Sequence, residues 1–217
     1  MTATVSHLPV AHLSRRSLLT ILASLPFAAI PLAAQAQMDP TRATAFIQTT
    51  GEALVAALNS TSMALPQRRD RVASILRQAV DMEGTGRFIL GRWWRVATPA
   101  EQQEYLRLFE ETLIRNLAGR FGEYQGVRFS LSRSQQRSED DALVTTIVER
   151  PSAAALNLDW RVAEVGGQPR IVDLVAEGTS LRLTQRSEYS AVIQRGGNQV
   201  SALLTAMRNQ LAQMQAR

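Results

Sequence analysis

Residues 156–176, LNLDWRVAEVGGQPRIVDLVA, decide the fold class because they contain two strand patterns joined by a glycine turn. Residues 156–162 alternate apolar with polar side chains, which is typical of a strand that buries one face. Gly166 and Gly167 then mark a tight turn, and residues 171–176 continue as a second apolar strand. The stretch predicts an antiparallel hairpin with one face toward a core.

Two more strand patterns precede this hairpin. Val127, Phe129 and Leu131 alternate with polar residues, and residues 143–148 form a run rich in β-branched side chains. Short connections between successive strands predict an antiparallel meander. Residues 138–141, SEDD, are predicted to be a solvated turn, since they lack the spacing of an EF-hand calcium loop.

Upstream of the strands the pattern changes to helical, and the clearest start signal lies at Thr98. The sequence Thr98-Pro99-Ala100-Glu101 is a capping box with proline at the first helical position. Apolar residues then recur at helical spacing from Tyr105 to Phe121, and Glu111 can pair with Arg115 one turn later. A long amphipathic helix is therefore predicted here.

Other helical patterns lie on both sides. Residues 41–63 and a segment opened by Pro66 precede the long helix, and the chain from Thr184 onward carries two more helical patterns separated by Gly196 and Gly197. Several helices flanking one meander predict an α+β domain with a curved antiparallel sheet of four to five strands.

The first 36 residues predict an export signal. Arg15 and Arg16 precede an apolar stretch over residues 18–34, which ends in an A-x-A cleavage pattern at Ala36. The stretch is shorter than the ~20 apolar residues that cross a bilayer. The paired arginines resemble a twin-arginine signal, although Leu18 stands where phenylalanine is commonest, and an ordinary secretory signal also fits. Cleavage near Ala36 would leave one domain, residues 37–217.

The residue inventory excludes most catalytic chemistry. The chain has 217 residues, all 24 basic residues are arginine, cysteine is absent, and the two histidines lie at positions 7 and 12. A mature domain would therefore lack cysteine nucleophiles, histidine bases, lysine Schiff bases, disulfides and the usual zinc ligands. Removing residues 1–36 lowers the formal net charge from +5 to +3, which does not favour nucleic-acid binding.

The remaining catalytic candidates are two carboxylates. Asp159 and Asp173 lie on neighbouring predicted strands, and an enzyme would need both of them in an open cleft. A surface pair beside Arg161 and Arg170 is the favoured interpretation. The sequence thus predicts a protein that is not an enzyme and uses no cofactor.

Large apolar side chains near arginines indicate a different kind of site. Phe88, Leu90, Trp93 and Trp94 precede the long helix, and Trp160 lies centrally in a strand. A pocket between helices and sheet would suit an apolar ligand, with arginines at its mouth for a phosphate. By pattern alone, a filled core fits these residues better.

Two blocks of sequence resemble the MlaC family of toluene-tolerance, phospholipid-binding ABC-transporter auxiliary proteins. The first consists of FILGRWWRVATP at 88–99 and QEYLRLF at 103–109. The second consists of LDWRV at 158–162, RIVDLVAEGTSL at 170–181, TQRSEY at 184–189 and IQRGG at 193–197. Departures from the family pattern are mild, with Arg170 in place of lysine, Thr179 in place of valine and Tyr189 in place of phenylalanine.

The resemblance implies a periplasmic lipid carrier. Such proteins hold phospholipid acyl chains in an apolar cavity between helices and sheet and leave the head group exposed. They shuttle lipid between an outer-membrane lipoprotein–porin complex and an inner-membrane ABC lipid transporter with a periplasmic substrate-binding ring, which maintains outer-membrane lipid asymmetry. A hopanoid-associated branch is similar, so a polycyclic lipid is one alternative ligand. An exported interaction domain with a solid core and no ligand is another alternative.

On this basis twelve residues are predicted to line the cavity, although each also fits a plain core role: Phe88, Leu90, Trp93, Trp94, Tyr105, Phe109, Leu113, Leu158, Trp160, Val162, Val172 and Leu174. Three arginines, Arg92, Arg95 and Arg186, are predicted to contact the head group or a protein partner, with a solvated surface as the alternative.

Overall fold

The computed structural model describes residues 38–118, 126–151 and 153–215. The predicted export signal over residues 1–36 lies outside the described residues. None of the helices in the described part is both long and apolar enough to cross a membrane.

Three helices open the described chain, and each begins at a recognisable signal. Helix α1, Pro40–Asn59, follows Asp39, whose carboxylate accepts a hydrogen bond from the Thr41 N–H at 2.9 Å. Helix α2, Leu65–Ala79, has a proline in its first turn, as predicted. Helix α3, Met82–Leu90, runs into a 3₁₀ turn, Gly91–Arg95. The helix predicted over residues 41–63 ends earlier, at Asn59.

Helix α4, Pro99–Ala118, confirms the predicted capping box. The Thr98 N–H donates to Glu101 Oε2 at 2.9 Å, and the Glu101 N–H donates to Thr98 Oγ1 at 3.2 Å. Glu111 and Arg115 form the predicted ion pair. The last residue of the predicted stripe, Phe121, lies outside the described residues.

The sheet is the predicted antiparallel meander and has five strands in sequential order. Its strands are β1 Arg128–Gln136, β2 Asp141–Arg150, β3 Ala153–Val165, β4 Gln168–Ala176 and the short β5 Thr179–Ser180. Gly166 and Gly167 join β3 to β4 with φ angles of 59° and 78°. A two-residue hairpin turn with both φ angles positive matches strand twist, and glycine adopts it without steric cost.

Two helices complete the chain, α5 Leu181–Arg195 and α6 Val200–Gln215. Helix α5 starts three residues before the predicted Thr184, because the Ser180 hydroxyl caps it by accepting the Leu183 N–H at 3.2 Å. The strands and helices together form the predicted α+β fold.

The core divides into two helical regions and one region on the sheet. The largest cluster joins α3, α4, α5 and α6, and a second joins α1, α2 and α4. In the third, Ala43 and Ile47 of α1 pack on Val144 and Val162 of the sheet. Helix α1 therefore covers one face of the sheet.

The prediction of a solvated turn at residues 138–141 is wrong for its last residue. Asp141 begins β2 and is only 1% exposed. The Arg161 Nε–H, from β3, donates to Asp141 Oδ2 at 2.5 Å, and Arg137 Nη1 lies 3.4 Å from the same oxygen. The burial of Asp141 is not evident from the acidic run itself, because its partner Arg161 lies 20 residues away along the chain.

Candidate functional site

The face of the sheet that α1 covers at one end continues as an apolar surface toward the other end. We define the apolar sheet face as Leu156, Leu158, Trp160 and Leu174. In β3 the first three alternate with polar residues and share the face of Val162, while Leu174 pairs with Trp160 across the β3–β4 ladder. The hairpin pattern seen in the sequence thus places all four side chains on one surface.

Burial changes along this face. Val162, which packs beneath α1, is 0% exposed, whereas all four residues of the apolar sheet face are half-buried. Large apolar residues normally gain about 1.5–3 kcal/mol from full burial, so this end of the sheet retains apolar area that can still be covered.

Polar groups near the face are satisfied within the protein. The indole Nε1–H of Trp160 donates to Thr146 Oγ1 at 2.8 Å, and the Thr146 hydroxyl donates to the Leu158 carbonyl at 3.4 Å. An unpaired amide or hydroxyl against an apolar ligand would cost ~1–3 kcal/mol, and these bonds avoid that cost. Thr146 was not selected from the sequence, although strand alternation from Val144 would have placed it here.

Six of the predicted lining residues lie together elsewhere, in the helical cluster: Phe88, Leu90, Trp93, Trp94, Tyr105 and Phe109. The Tyr105 hydroxyl donates to the Gly86 carbonyl at 3.0 Å, and its ring stacks on Phe109 with centroids 6.1 Å apart. Burial, together with the nearby Tyr189, raises the pKa of Tyr105 well above its usual range. The Trp93 indole N–H donates to Ser190 Oγ at 3.2 Å. These residues pack on one another.

The other six predicted lining residues occupy different positions. Val162 belongs to the cluster beneath α1, and Trp160 packs against that cluster. Leu113, Leu158, Val172 and Leu174 are half-buried and belong to none of the three clusters of the described residues. The structure therefore separates the predicted set into a packed helical group, a group on the sheet, and Leu113 on α4.

The three predicted arginines are exposed, and two of them lie against aromatic rings. The Arg92 guanidinium lies 4.6 Å from the centroid of the Trp93 ring. Arg186 lies 5.0 Å from the Phe88 ring and donates to the Phe88 carbonyl at 3.3 Å. Stacking of this kind orients a guanidinium while leaving its N–H groups accessible.

A second cation, not selected from the sequence, lies at the Phe88 ring. Arg182 lies 4.2 Å from Phe88 on the side of α5 and also pairs with Asp173, with 3.2 Å between Arg182 Nε and Asp173 Oδ2. Its helical spacing of four residues from Arg186 is a signal that could have identified it.

The two carboxylates considered for catalysis are both engaged. Asp159 accepts a hydrogen bond from the Thr145 hydroxyl at 2.5 Å. Asp173 is buried, accepts from the Ser180 hydroxyl at 2.6 Å and pairs with Arg182. They alternate with Trp160 and Leu174 and so lie on the opposite face of the sheet. They do not form the open cleft that an acid–base pair needs.

In the described part of the chain, no group of three or more histidine, cysteine or acidic residues could hold a metal ion. The described residues combine apolar surface, packed aromatic rings and exposed guanidinium groups.

Comparison with known proteins identifies relatives over most of the chain. A family model described as "MlaC protein" matches residues 48–209. The toluene tolerance protein ttg2D of Pseudomonas putida is 22% identical over 203 residues, which is 91% of each chain.

Among solved structures, a phospholipid-binding protein from Ralstonia solanacearum, determined in complex with a phospholipid, has the same fold. It aligns with a TM-score of 0.70 at 22% identity and covers 79% of this chain and 98% of its own.

Proposed function

The chain belongs to the MlaC family, and from that premise we propose that it is a periplasmic lipid carrier rather than an enzyme. It binds the acyl chains of a phospholipid on the apolar sheet face and carries the lipid between the two membranes of the envelope. Its solved neighbour was determined with a phospholipid, which supports the choice of ligand class.

The observation that carries the proposal is the incomplete burial of the apolar sheet face. Leu158, Trp160 and Leu174 are half-buried, although Val162 on the same face is completely covered by α1. An acyl chain laid along these residues would remove the remaining apolar area from water, at ~25 cal/mol for each Å² buried. Leu113 and Val172, half-buried and outside the packed clusters, are the further wall residues we assign.

The packed helical group has a supporting role in this proposal. Phe88, Leu90, Trp93, Trp94, Tyr105 and Phe109 fill the space between α3, α4, α5 and α6. They hold the helices rigidly beside the sheet, and those at the edge of the cluster, the half-buried Phe88 and Trp94, are the members best placed to reach a ligand.

The exposed arginines complete the ligand site. A guanidinium binds phosphate through two parallel N–H···O bonds, so Arg92 and Arg186, oriented by their aromatic neighbours, suit a phosphate head group or an acidic partner. Arg95 belongs to the same 3₁₀ turn as Arg92 and adds positive charge there.

The proposed lipid transport depends on export of the protein and on two docking partners. Residues 1–36 direct the chain across the inner membrane and are removed near Ala36, which leaves residues 37–217 as one lipid-binding domain. The domain then exchanges lipid with an outer-membrane lipoprotein–porin complex and with an inner-membrane ABC transporter that carries a periplasmic ring.

The test begins with protein purified from the periplasm of a Gram-negative host. Native mass spectrometry and extraction with organic solvent should reveal a co-purifying phospholipid, and a hopanoid would identify the alternative ligand. A protein that carries no lipid and takes none up from phospholipid vesicles would contradict the proposal and favour an interaction domain with a solid core.

A pair of matched variants then locates the site. Leu158→Asn places an amide against the acyl chain and should lower lipid retention about tenfold, since burying an unpaired amide costs ~1–3 kcal/mol. Leu143→Asn is the control, because Leu143 is also half-buried but pairs with Arg161 on the opposite face of the sheet. Equal retention by the two variants, at equal melting temperatures, would refute binding on the apolar sheet face.

A further inference from the structure

A separate cavity lies between α4, α5 and α6, and none of the residues assigned above lines it. Its volume is about 240 Å³. Its floor consists of Tyr189, Val192, Leu203 and Met207, and its polar wall includes Thr112 and Glu188. The cavity is smaller than the ~300–1,000 Å³ that drug-sized ligands occupy, so it suits a small group and not an acyl chain.

The first indication of a ligand is a buried hydroxyl on α4. Thr112 is 6% exposed, and within the described part of the chain its Oγ1 has no hydrogen-bond partner. Leaving a buried hydroxyl unpaired costs ~1–3 kcal/mol, so such groups are normally satisfied. Because Thr112 lines the cavity, a ligand there can supply the missing hydrogen bond.

The second indication is the sign of the charge. Among the described residues that line the cavity, Glu188 is the one with an ionised side chain, and the Gln185 amide donates to Glu188 Oε2 at 3.1 Å. No arginine is among the described residues that line this cavity. The described lining therefore favours a cation and disfavours an anion.

An aromatic ring adds to this preference. Tyr189 forms part of the floor and contacts Tyr105 edge-on, with ring centroids 6.2 Å apart, which fixes its orientation. Burial, and to a lesser degree the Glu188 carboxylate, raises the pKa of Tyr189 to about 12. Its hydroxyl stays protonated at neutral pH, and its ring offers a π-face to a cation.

We propose that the cavity between α4, α5 and α6 is a second binding site, which takes a small organic ammonium group. The ammonium pairs with the Glu188 carboxylate and donates a hydrogen bond to Thr112 Oγ1, while its carbon atoms contact Tyr189 and Met207. The ammonium belongs either to a small soluble amine or to the amino head group of a lipid. The site does not depend on lipid binding to the apolar sheet face.

The probe is ethanolamine, and the reporter is the methyl group of Met207 in methionine-labelled protein. Titration should change the NMR chemical shift of the Met207 methyl group saturably. The shift of the Met82 methyl group, which does not line the cavity, should stay unchanged. Sodium acetate and glycerol, of similar size but anionic or neutral, should not shift it. No saturable shift with ethanolamine, or an equal response to glycerol, would overturn the proposal.

Variants test the named contacts. Glu188→Gln removes the charge and Thr112→Val removes the hydroxyl, and each should weaken ethanolamine binding about tenfold with the melting temperature maintained. Glu149→Gln, on the exposed β2 carboxylate that pairs with Arg128, should bind like the unmodified protein. Unchanged affinity in Glu188→Gln would overturn the assignment of an ammonium group.

A final comparison identifies the source of the ammonium. Short-chain phosphatidylethanolamine that shifts Met207 at lower concentration than ethanolamine indicates a lipid head group, and equal or weaker binding indicates a soluble amine. Both results support the site. Short-chain phosphatidylglycerol lacks the ammonium, and an equal Met207 shift with that lipid would contradict the proposal.

Discussion

Replacing Asp141 with asparagine is expected to destabilise the protein by about 2–3 kcal/mol, because the change removes the buried carboxylate that contacts the Arg161 guanidinium. Asp141 is 1% exposed at the start of β2, and both Arg161 and Arg137 approach its Oδ2 atom. The pair joins β2 to β3 on the face of the sheet opposite Val162.

The magnitude follows from the exposure of the partners. Removing one member of a fully buried ion pair typically costs ~3–5 kcal/mol, since the other charge stays buried and unpaired. The Arg161 side chain is 21% exposed and Arg137 is about half exposed, so water can solvate part of the released charge. The expected loss therefore lies below that range.

Urea unfolding followed by tryptophan fluorescence measures the effect. A double-mutant cycle with Asp141→Asn and Arg161→Leu should give a coupling free energy within the ~0.5–3 kcal/mol found for residues in contact. Glu149→Gln is the control, because its partner Arg128 is exposed and such surface pairs contribute ~0–1 kcal/mol. If Asp141→Asn cost no more than Glu149→Gln, the buried ion pair would not stabilise the sheet as argued.

Three further predictions concern the helices. Stability at alkaline pH should fall between pH 10 and about 12, because burial raises the pKa of Tyr189 from 10.0 to about 12. The stabilising contribution is complete below pH 10 and is lost as the pH rises to the folded-state pKa, since the unfolded state ionises first. Urea midpoints and phenolate absorbance against pH check this. Thr98→Ala should cost about 1 kcal/mol of unfolding free energy through loss of the α4 cap. Gly91→Ala should cost ~1–3 kcal/mol, because Gly91 has φ +58° and ψ −126°, a conformation that is strained for alanine. Thermal unfolding measures both substitutions, and a melting temperature equal to that of the unmodified protein would contradict either.

Local patterns predicted most elements of the fold, but neither α3 nor β5 was assigned from the sequence. The alternation over residues 156–162, the glycine pair and the capping box at Thr98 each act through neighbouring residues, so the structure confirms them directly. The start of α5 was placed three residues too late although its cap is local, since the Ser180 hydroxyl accepts a hydrogen bond from the nearby Leu183 N–H. The burial of Asp141 was missed because it depends on Arg161, which only the folded sheet brings close.

The candidate site was less predictable for the same reason. Strand alternation assigns Leu158, Trp160 and Val162 to one face, but it does not specify what covers that face. In the structure α1 covers Val162 and leaves Leu158 half-buried. The cavity beside Thr112 gave no sequence signal, because its walls come from three helices whose apolar stripes read as ordinary core.

The sequence by itself determined the α+β class, the meander and the family, because hydrophobic period, turn chemistry and ordered motifs are properties of neighbouring residues. It also excluded the chemistry of cysteine, histidine and lysine from residues 37–217, since those side chains are absent there. Only the tertiary structure decided which apolar residues are fully packed, which carboxylates are paired and which hydroxyl is left without a partner. Burial and pairing depend on distances between segments far apart in the chain, and packing sets those distances.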